Sequence, residues 1–285
     1  MTTLSQALVR GVAALRAAGI AEAATDARAL LAHACGIDPA RLTLHLPDPA
    51  DPSHLAVFDA LIARRADRAP VSHLIGHRLF WGRRFAVTPD VLDPRPETEI
   101  LVAEALSKPF VKLLDLGTGS GCILLSCLAD RPMAAGVGVD ISAAALAVAA
   151  RNADDLGLGA RARLLHSDWF SDVQGRFDLI VSNPPYIAAE EMAGLSPEVL
   201  QEPHLALSPG GDGLEPYRII ARAAPARLMP GGRLIVEIGP SQGAAVSRLF
   251  REQGLQQVAV LPDFDGRDRI VVAQKPADGE TCGEA

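Results

Sequence analysis

The chain has 285 residues, 49% of them apolar and 21% charged, with a formal net charge of −7. That length is a soft prior for about two domains, and this composition gives a sizeable core and excludes wholesale disorder. No apolar run approaches the ~20 residues that cross a bilayer, and the start MTTLSQALVRG lacks the basic-then-apolar pattern of a secretory signal, so the expected location is the cytoplasm, with no membrane partner.

In chain order, the first seventy residues read as helical. Thr3 and Gln6 have the spacing of a capping box, Leu4, Leu8, Val12 and Leu15 share one face, and Gly19 is a stop. A second helix is predicted from about Thr25 to Gly36. A third begins at Ser53, carries Leu55, Phe58, Leu61 and Ile62, and ends near Pro70. These faces are expected to pack as a small bundle over residues 1–75. From Val71 the pattern changes: Phe80, Trp81, Phe85 and Val87 among Gly76, Gly82 and Pro89 predict a hairpin linker over residues 76–92.

Beyond it, strands alternate with helices. Strands are predicted at Val111–Leu116, Gly136–Asp140, Arg163–His166, Leu179–Ser182, Arg233–Ile238, Gln257–Leu261 and Ile270–Gln274, with helices at Ala143–Asp155 and Gln242–Gln253 among others. This alternation implies an α/β fold with a doubly wound, mostly parallel seven-stranded sheet over residues 93–276. The last two strands are close enough in sequence for an antiparallel hairpin. Residues 277–285 are polar and expected to form a loose tail. Cys35, Cys122, Cys127 and Cys282 are scattered without a CxxC pair, which argues for small buried residues rather than a zinc site or disulfides.

VKLLDLGTGSGCILL is a buried strand, a glycine turn and a helix start. Gly117, Thr118, Gly119, Ser120 and Gly121 allow a ligand close to the backbone, and the helix offers free N–H groups. A dinucleotide fingerprint would need a third glycine at position 122, which is Cys122. The GxGxG spacing after Asp115 is instead similar to the first motif of class I methyltransferases, which implies S-adenosylmethionine as cofactor and S-adenosylhomocysteine as product. Asp140 ends the next strand, nineteen residues after Gly121, where a carboxylate can accept from both ribose hydroxyls; nicotinamide cofactors use the same feature. The resemblance also implies that Asp168 and Trp169, after the third strand, flank the adenine, with Trp169 against its face.

FDLIVSNPPY carries the most chemistry. A buried strand delivers Asn183, Pro184, Pro185 and Tyr186 to the carboxyl edge of the sheet, where open α/β sheets bind ligands. A structural turn would need neither Asn nor Tyr. An amide or adenine nitrogen has its lone pair delocalised, so its N–H groups must be held by acceptors to aim that lone pair at an electrophilic methyl group. The Asn183 side-chain oxygen and the Pro184 carbonyl are the expected acceptors, and Tyr186 the stacking surface. In-line transfer then needs positioning rather than a metal or a covalent nucleophile.

HLIGHRLFWGRRFAVTPDVLDPRPETE, DLGTGSG, SNPPYI and EPHLALSPGGDGL together resemble the release-factor glutamine methyltransferases, the PrmC (HemK) family. The resemblance implies a helical N-terminal bundle, a hairpin linker and a class I methyltransferase domain. It also implies the glutamine of a Gly-Gly-Gln loop in peptide-chain release factors as substrate. Asp93 departs from the aliphatic residue of the family pattern, with altered packing rather than altered catalysis expected there. Arg95, Glu97 and Glu99 are expected near the cleft or as acids at a helix start. Glu202 and Gly210–Gly213 are expected in a loop near the substrate.

Two relatives in chemistry compete: glutamine methylation of a ribosomal protein, and adenine methylation of nucleic acid. Residues 1–85 carry ten Arg against seven Asp or Glu, a net of +3, and the rest carries −10. An acidic catalytic segment without an extra recognition insert argues against direct DNA binding. A monomer is expected.

Overall fold

The computed structural model describes residues 2–277. The tail beyond Ala277, Cys282 included, lies outside the described residues. The chain divides into two compact units: one runs to His77 and includes Ser196–Gln201, and the other comprises Arg78–Leu195 and Glu202 onward.

The first unit is helical. Helix α1 (Leu4–Ala17) opens on the expected capping box, with Gln6 N–H donating to Thr3 Oγ1 at 3.2 Å and Thr3 N–H to Gln6 Oε1 at 3.0 Å. Helix α2 (Ala23–Cys35) follows, then a single turn α3 (Leu42–His45), then α4 (Pro52–Ala66). The start of α4 differs from expectation. Asp51 caps it by accepting from Ser53 N–H at 2.7 Å, and the Ser53 hydroxyl also donates to that carboxylate. A further turn, α5 (Val71–Ile75), which the sequence did not predict, stands just before the expected hairpin, with Leu74 in the helical core. Leu4, Leu15, Leu30, Leu31, Phe58 and Ile62 make up much of that core. Ser196–Gln201 is tied to this unit by Glu198, which accepts from Arg65 at 3.2 Å and Arg68 at 3.1 Å.

The second unit begins within β1 (His77–Phe80), which forms the expected hairpin with β2 (Arg83–Ala86), turning through Trp81 and Gly82 at φ +50° and +68°. There follow a 3-10 turn at Pro96–Thr98, α6 (Glu99–Leu106), β3 (Lys112–Leu116), α7 (Cys122–Asp130), β4 (Ala135–Asp140), α8 (Ala143–Asp155), β5 (Ala162–His166) and β6 (Phe177–Ser182). After a long loop holding the turn α9 (His204–Leu207) come α10 (Glu215–Arg227), β7 (Leu228–Glu237), α11 (Gly243–Glu252), β8 (Gln256–Pro262) and β9 (Asp268–Gln274). The seven-stranded sheet has the order β5-β4-β3-β6-β7-β9-β8. Its first five strands are parallel; β9 is antiparallel to both neighbours and inserts between β7 and β8.

Period-two alternation explains the two layers of helices. Leu113, Leu179, Val181 and Ile235 face one core with α6 and α7, while Leu114, Leu116, Ile180, Leu234 and Val236 face a second with α10 and α11. Strands covered on both faces read as unbroken apolar runs, which is why the sequence shows them so clearly.

Candidate active site

Strand order reverses between β3 and β6, and the carboxyl ends of β3, β4, β5 and β6 open onto one cleft of about 330 Å³. After β3 the chain turns through Gly117 and Gly119 at φ +67° and +54°, conformations that side chains strain to adopt. Helix α7 then begins after Gly121, which gives it no side-chain cap. Gly117, Thr118, Gly119 and Ser120 line the cleft, and Gly121 is not part of the lining.

Asp140 lines the same cleft and bridges two loops, accepting from Gly119 N–H and from Ser142 N–H, each at 2.9 Å. Each carboxylate oxygen keeps a further lone pair for a hydroxyl. Asp168 is exposed on the cleft wall, and Trp169 stands beside it at φ +50°, a costly conformation for a bulky residue. Beneath the turn, Asp115 is fully buried and accepts from the Thr118 hydroxyl at 2.7 Å; burial pushes its carboxyl up to about 7. An uncapped helix start, a turn with glycine at alternate positions, a hydroxyl acceptor and a flat aromatic wall suit a nucleoside with a polar tail.

Asn183 and Pro185 line the same cleft. The Asn183 side chain donates through Nδ2 to Thr98 Oγ1 at 3.2 Å, while its Oδ1 accepts no hydrogen bond among the described residues. Pro184 is buried outside the lining, and its carbonyl likewise accepts none among those residues. Tyr186 is also outside the lining: its ring packs against the second core, and burial followed by the Glu237 charge raises its hydroxyl to about 12. The Tyr186 carbonyl is fixed by Gln242 Nε2 at 2.9 Å. Gly213 passes so near that a Cβ there would lie 2.3 Å from the same oxygen, which explains a glycine in that loop.

The acids around PRPETE separate. Glu97 is exposed, and Glu99 accepts from Trp81 N–H at 2.7 Å, a structural tie between hairpin and helix. Arg95 lines the cleft and pairs with Glu202, which also accepts from Asp93 N–H at 3.0 Å. The buried Asp93 carboxylate lies 3.7 Å from Arg78 and 4.0 Å from Arg95, so two cations flank it. Thr98 and Glu237 were not singled out by the sequence. A signal existed for the second: an acid closing the apolar run RLIVE, placed at its strand end as Asp140 is at β4.

A family model for the PrmC N-terminal domain matches residues 6–76, and one for the methyltransferase small domain matches residues 91–214. A protein of Cereibacter sphaeroides named release factor glutamine methyltransferase is 63% identical over 274 residues, covering 96% of this chain and 99% of its own. One of the same name from Rhodospirillum rubrum is 45% identical over 280 residues, covering 97% of this chain and 86% of its own. The crystal structure of a methyltransferase from Pyrococcus furiosus matches with a TM-score of 0.52 at 18% identity, over 67% of this chain and 88% of that one, and shares the fold. With such identity across nearly the full length of both chains, this chain belongs to the release factor glutamine methyltransferase family.

Proposed function

We propose that the chain methylates the side-chain amide nitrogen of the glutamine in the Gly-Gly-Gln motif of peptide-chain release factors, with S-adenosylmethionine as donor and S-adenosylhomocysteine as product. The observation that carries this is the placement of Asn183 at the end of β6, in one cleft with the glycine turn and Asp140. When bound, S-adenosylmethionine supplies a methyl group on a positively charged sulfur, already a strong electrophile. Asp140 would hold the ribose hydroxyls, the turn at Gly117–Gly121 the polar tail, and Asp168 and Trp169 the adenine.

Asn183 Oδ1 and the Pro184 carbonyl would each accept one glutamine N–H, turning the nitrogen lone pair toward the methyl group, with Pro185 bounding the planar amide and Tyr186 anchoring the loop from the second core. Residues 1–75 are assigned to recognition of the protein substrate, 76–92 to the linker and 93–276 to catalysis. The protein is assigned as a monomer acting in the cytoplasm, where a translation factor is its substrate.

Radiolabelled methyl transfer tests this with purified release factor, the same factor with its motif glutamine replaced, a ribosomal protein fraction, RNA and DNA. Label is expected in the intact release factor alone. Equal labelling after glutamine replacement, or labelling confined to another substrate, would overturn the assignment.

A further inference from the structure

We propose that Asn152 is a positioning residue for the cofactor: from the buried face of α8 it ties the glycine turn at Ser120 to the end of β2 at Ala86, and so holds two parts of the cleft lining together. The inference rests on the reading of that cleft as the S-adenosylmethionine site.

The sequence of α8 marks the residue. Ala145, Val148, Ala149 and Asn152 share the buried face of the helix. Asn152 is 1% exposed, and a buried amide is costly unless its polar atoms find partners. Its partners are all main-chain groups. Oδ1 accepts from Ala86 N–H at 2.7 Å, while Nδ2 donates to the Ala86 carbonyl at 3.1 Å and to the Ser120 carbonyl at 2.8 Å. The two bonds to Ala86 imitate a neighbouring strand, and the third uses the remaining Nδ2 proton. Only one orientation of the amide serves this set. Turned over, it would place its oxygen against two carbonyls and its NH2 group against the Ala86 N–H.

Both partners bear on the cleft. Ser120 is in the lining, within the turn assigned to the polar tail of the cofactor. The Ser120–Gly121 peptide is held at both ends, its carbonyl by Asn152 and its N–H by the Thr118 carbonyl at 2.8 Å. Released, that carbonyl is free to turn its negative end toward the ligand. Ala86 leads into Val87 and Val91, which pack on Ala145 and Val148 of the same helix, and Asp90, Val91 and Leu92 line the cleft. The turn is thus fixed at three successive residues. Asp140, just ahead of α8, accepts from Gly119 N–H; Asn152 holds Ser120; and a Cβ on Gly121 would lie 3.3 Å from that of Ala149. Asn152 is itself outside the lining, so it acts only through the backbone it holds.

The test measures S-adenosylhomocysteine affinity by calorimetry in full-length wild type, Asn152→Asp, Asn152→Ala and Leu255→Ala. Asn152→Asp keeps the shape and the acceptor for Ala86 N–H, loses both donors, and sets an oxygen against two carbonyls; affinity should fall roughly 10- to 100-fold. Asn152→Ala leaves room for water and should lose about tenfold. Leu255→Ala truncates the second core after α11 and reports loss of stability alone: its urea midpoint should fall and its affinity stay within about threefold of wild type. Hydrogen exchange at the Ala86 amide reads the tie itself. Bound S-adenosylhomocysteine should slow it roughly tenfold in wild type and leave it unchanged in Asn152→Ala. Should Asn152→Asp fail to fold, Asn152→Ala decides both measurements. The proposal is overturned by affinity in Asn152→Ala within about threefold of wild type, by a loss in Leu255→Ala as large as that in the Asn152 variants, or by ligand-dependent Ala86 exchange retained in Asn152→Ala. A wild type that binds no S-adenosylhomocysteine overturns the cofactor reading and this inference with it. Weakened Asn152 variants beside a wild type that labels no release factor support the role of Asn152 and overturn only the substrate assignment.

Discussion

In the proposed reaction Asn183 holds a weak nucleophile whose lone pair is spread over an amide, so losing its acceptor should be felt in the reacting geometry more than in ground-state binding. Asn183→Ala is expected to cost about 2–4 kcal/mol in single-turnover transfer, on the order of 10²–10³ in rate, with cofactor affinity largely kept. A rate within about fivefold of wild type would make the loop a structural turn. Asn183→Asp keeps an acceptor and should retain partial activity. Asp140 is the converse case: it bridges Gly119 and Ser142 in the cofactor half, so Asp140→Ala should weaken S-adenosylhomocysteine binding in calorimetry. Unaltered affinity would remove Asp140 from the site. The buried acid Glu237 carries a stability consequence. Its carboxyl is raised from 4.5 to about 7 in the fold, so the proton is held more tightly folded than unfolded. Its contribution is present in full below about pH 4.5 and is lost as pH rises through about 7. Urea unfolding at pH 5 and pH 8 should show wild type losing on the order of 3 kcal/mol relative to Glu237→Gln. A parallel pH dependence in the two proteins would show that Glu237 titrates as an ordinary exposed acid.

Elements with their own periodicity were legible in the sequence. The apolar runs of β3 and β6, helix α8 at Ala143–Asp155 and the capping box of α1 all stand where they were expected. The single turns α3 and α5 were not legible, because so short a helix is held by tertiary burial rather than by its own cooperativity. The insertion of β9 between β7 and β8 was also hidden, since strand order is decided by packing of distant segments. The site divides the same way. The glycine turn, Asp140 and the NPPY loop declare their chemistry locally, whereas Thr98 gains its significance from Asn183, 85 residues away. Gly213 is another such case. A Cβ there would strike the Tyr186 carbonyl, and the backbone sits at φ +74°. Gly213→Ala should therefore shift the loop and slow transfer by roughly 10²-fold while leaving S-adenosylhomocysteine affinity near wild type. Measuring both on one preparation separates loop displacement from general unfolding, which would abolish both; an unchanged rate would show that the loop absorbs the methyl group.

At the scale of the whole molecule, the two units carry different kinds of information. Every residue lining the cleft comes from Asp90 onward, and none from the helical segment. That segment has its own core and helix caps, and residues 1–85 hold a net charge of +3 against −10 for the rest. If it reads the body of the release factor while the cleft reads only the glutamine loop, its removal should affect two substrates unequally. Deleting residues 1–75 is expected to leave S-adenosylhomocysteine affinity largely intact and to reduce methylation of intact release factor far more than methylation of a short Gly-Gly-Gln peptide. The deletion also removes Arg65 and Arg68, the partners of Glu198, and so releases Ser196–Gln201 from its anchors. Glu198→Ala in the full chain isolates that side effect: it should change the rates with intact factor and peptide by the same factor, because it alters the anchored segment and leaves the helical surface in place. A deletion that slows both substrates equally, as Glu198→Ala does, would assign the helical unit to support of the fold; a loss confined to the intact factor assigns it to substrate recognition.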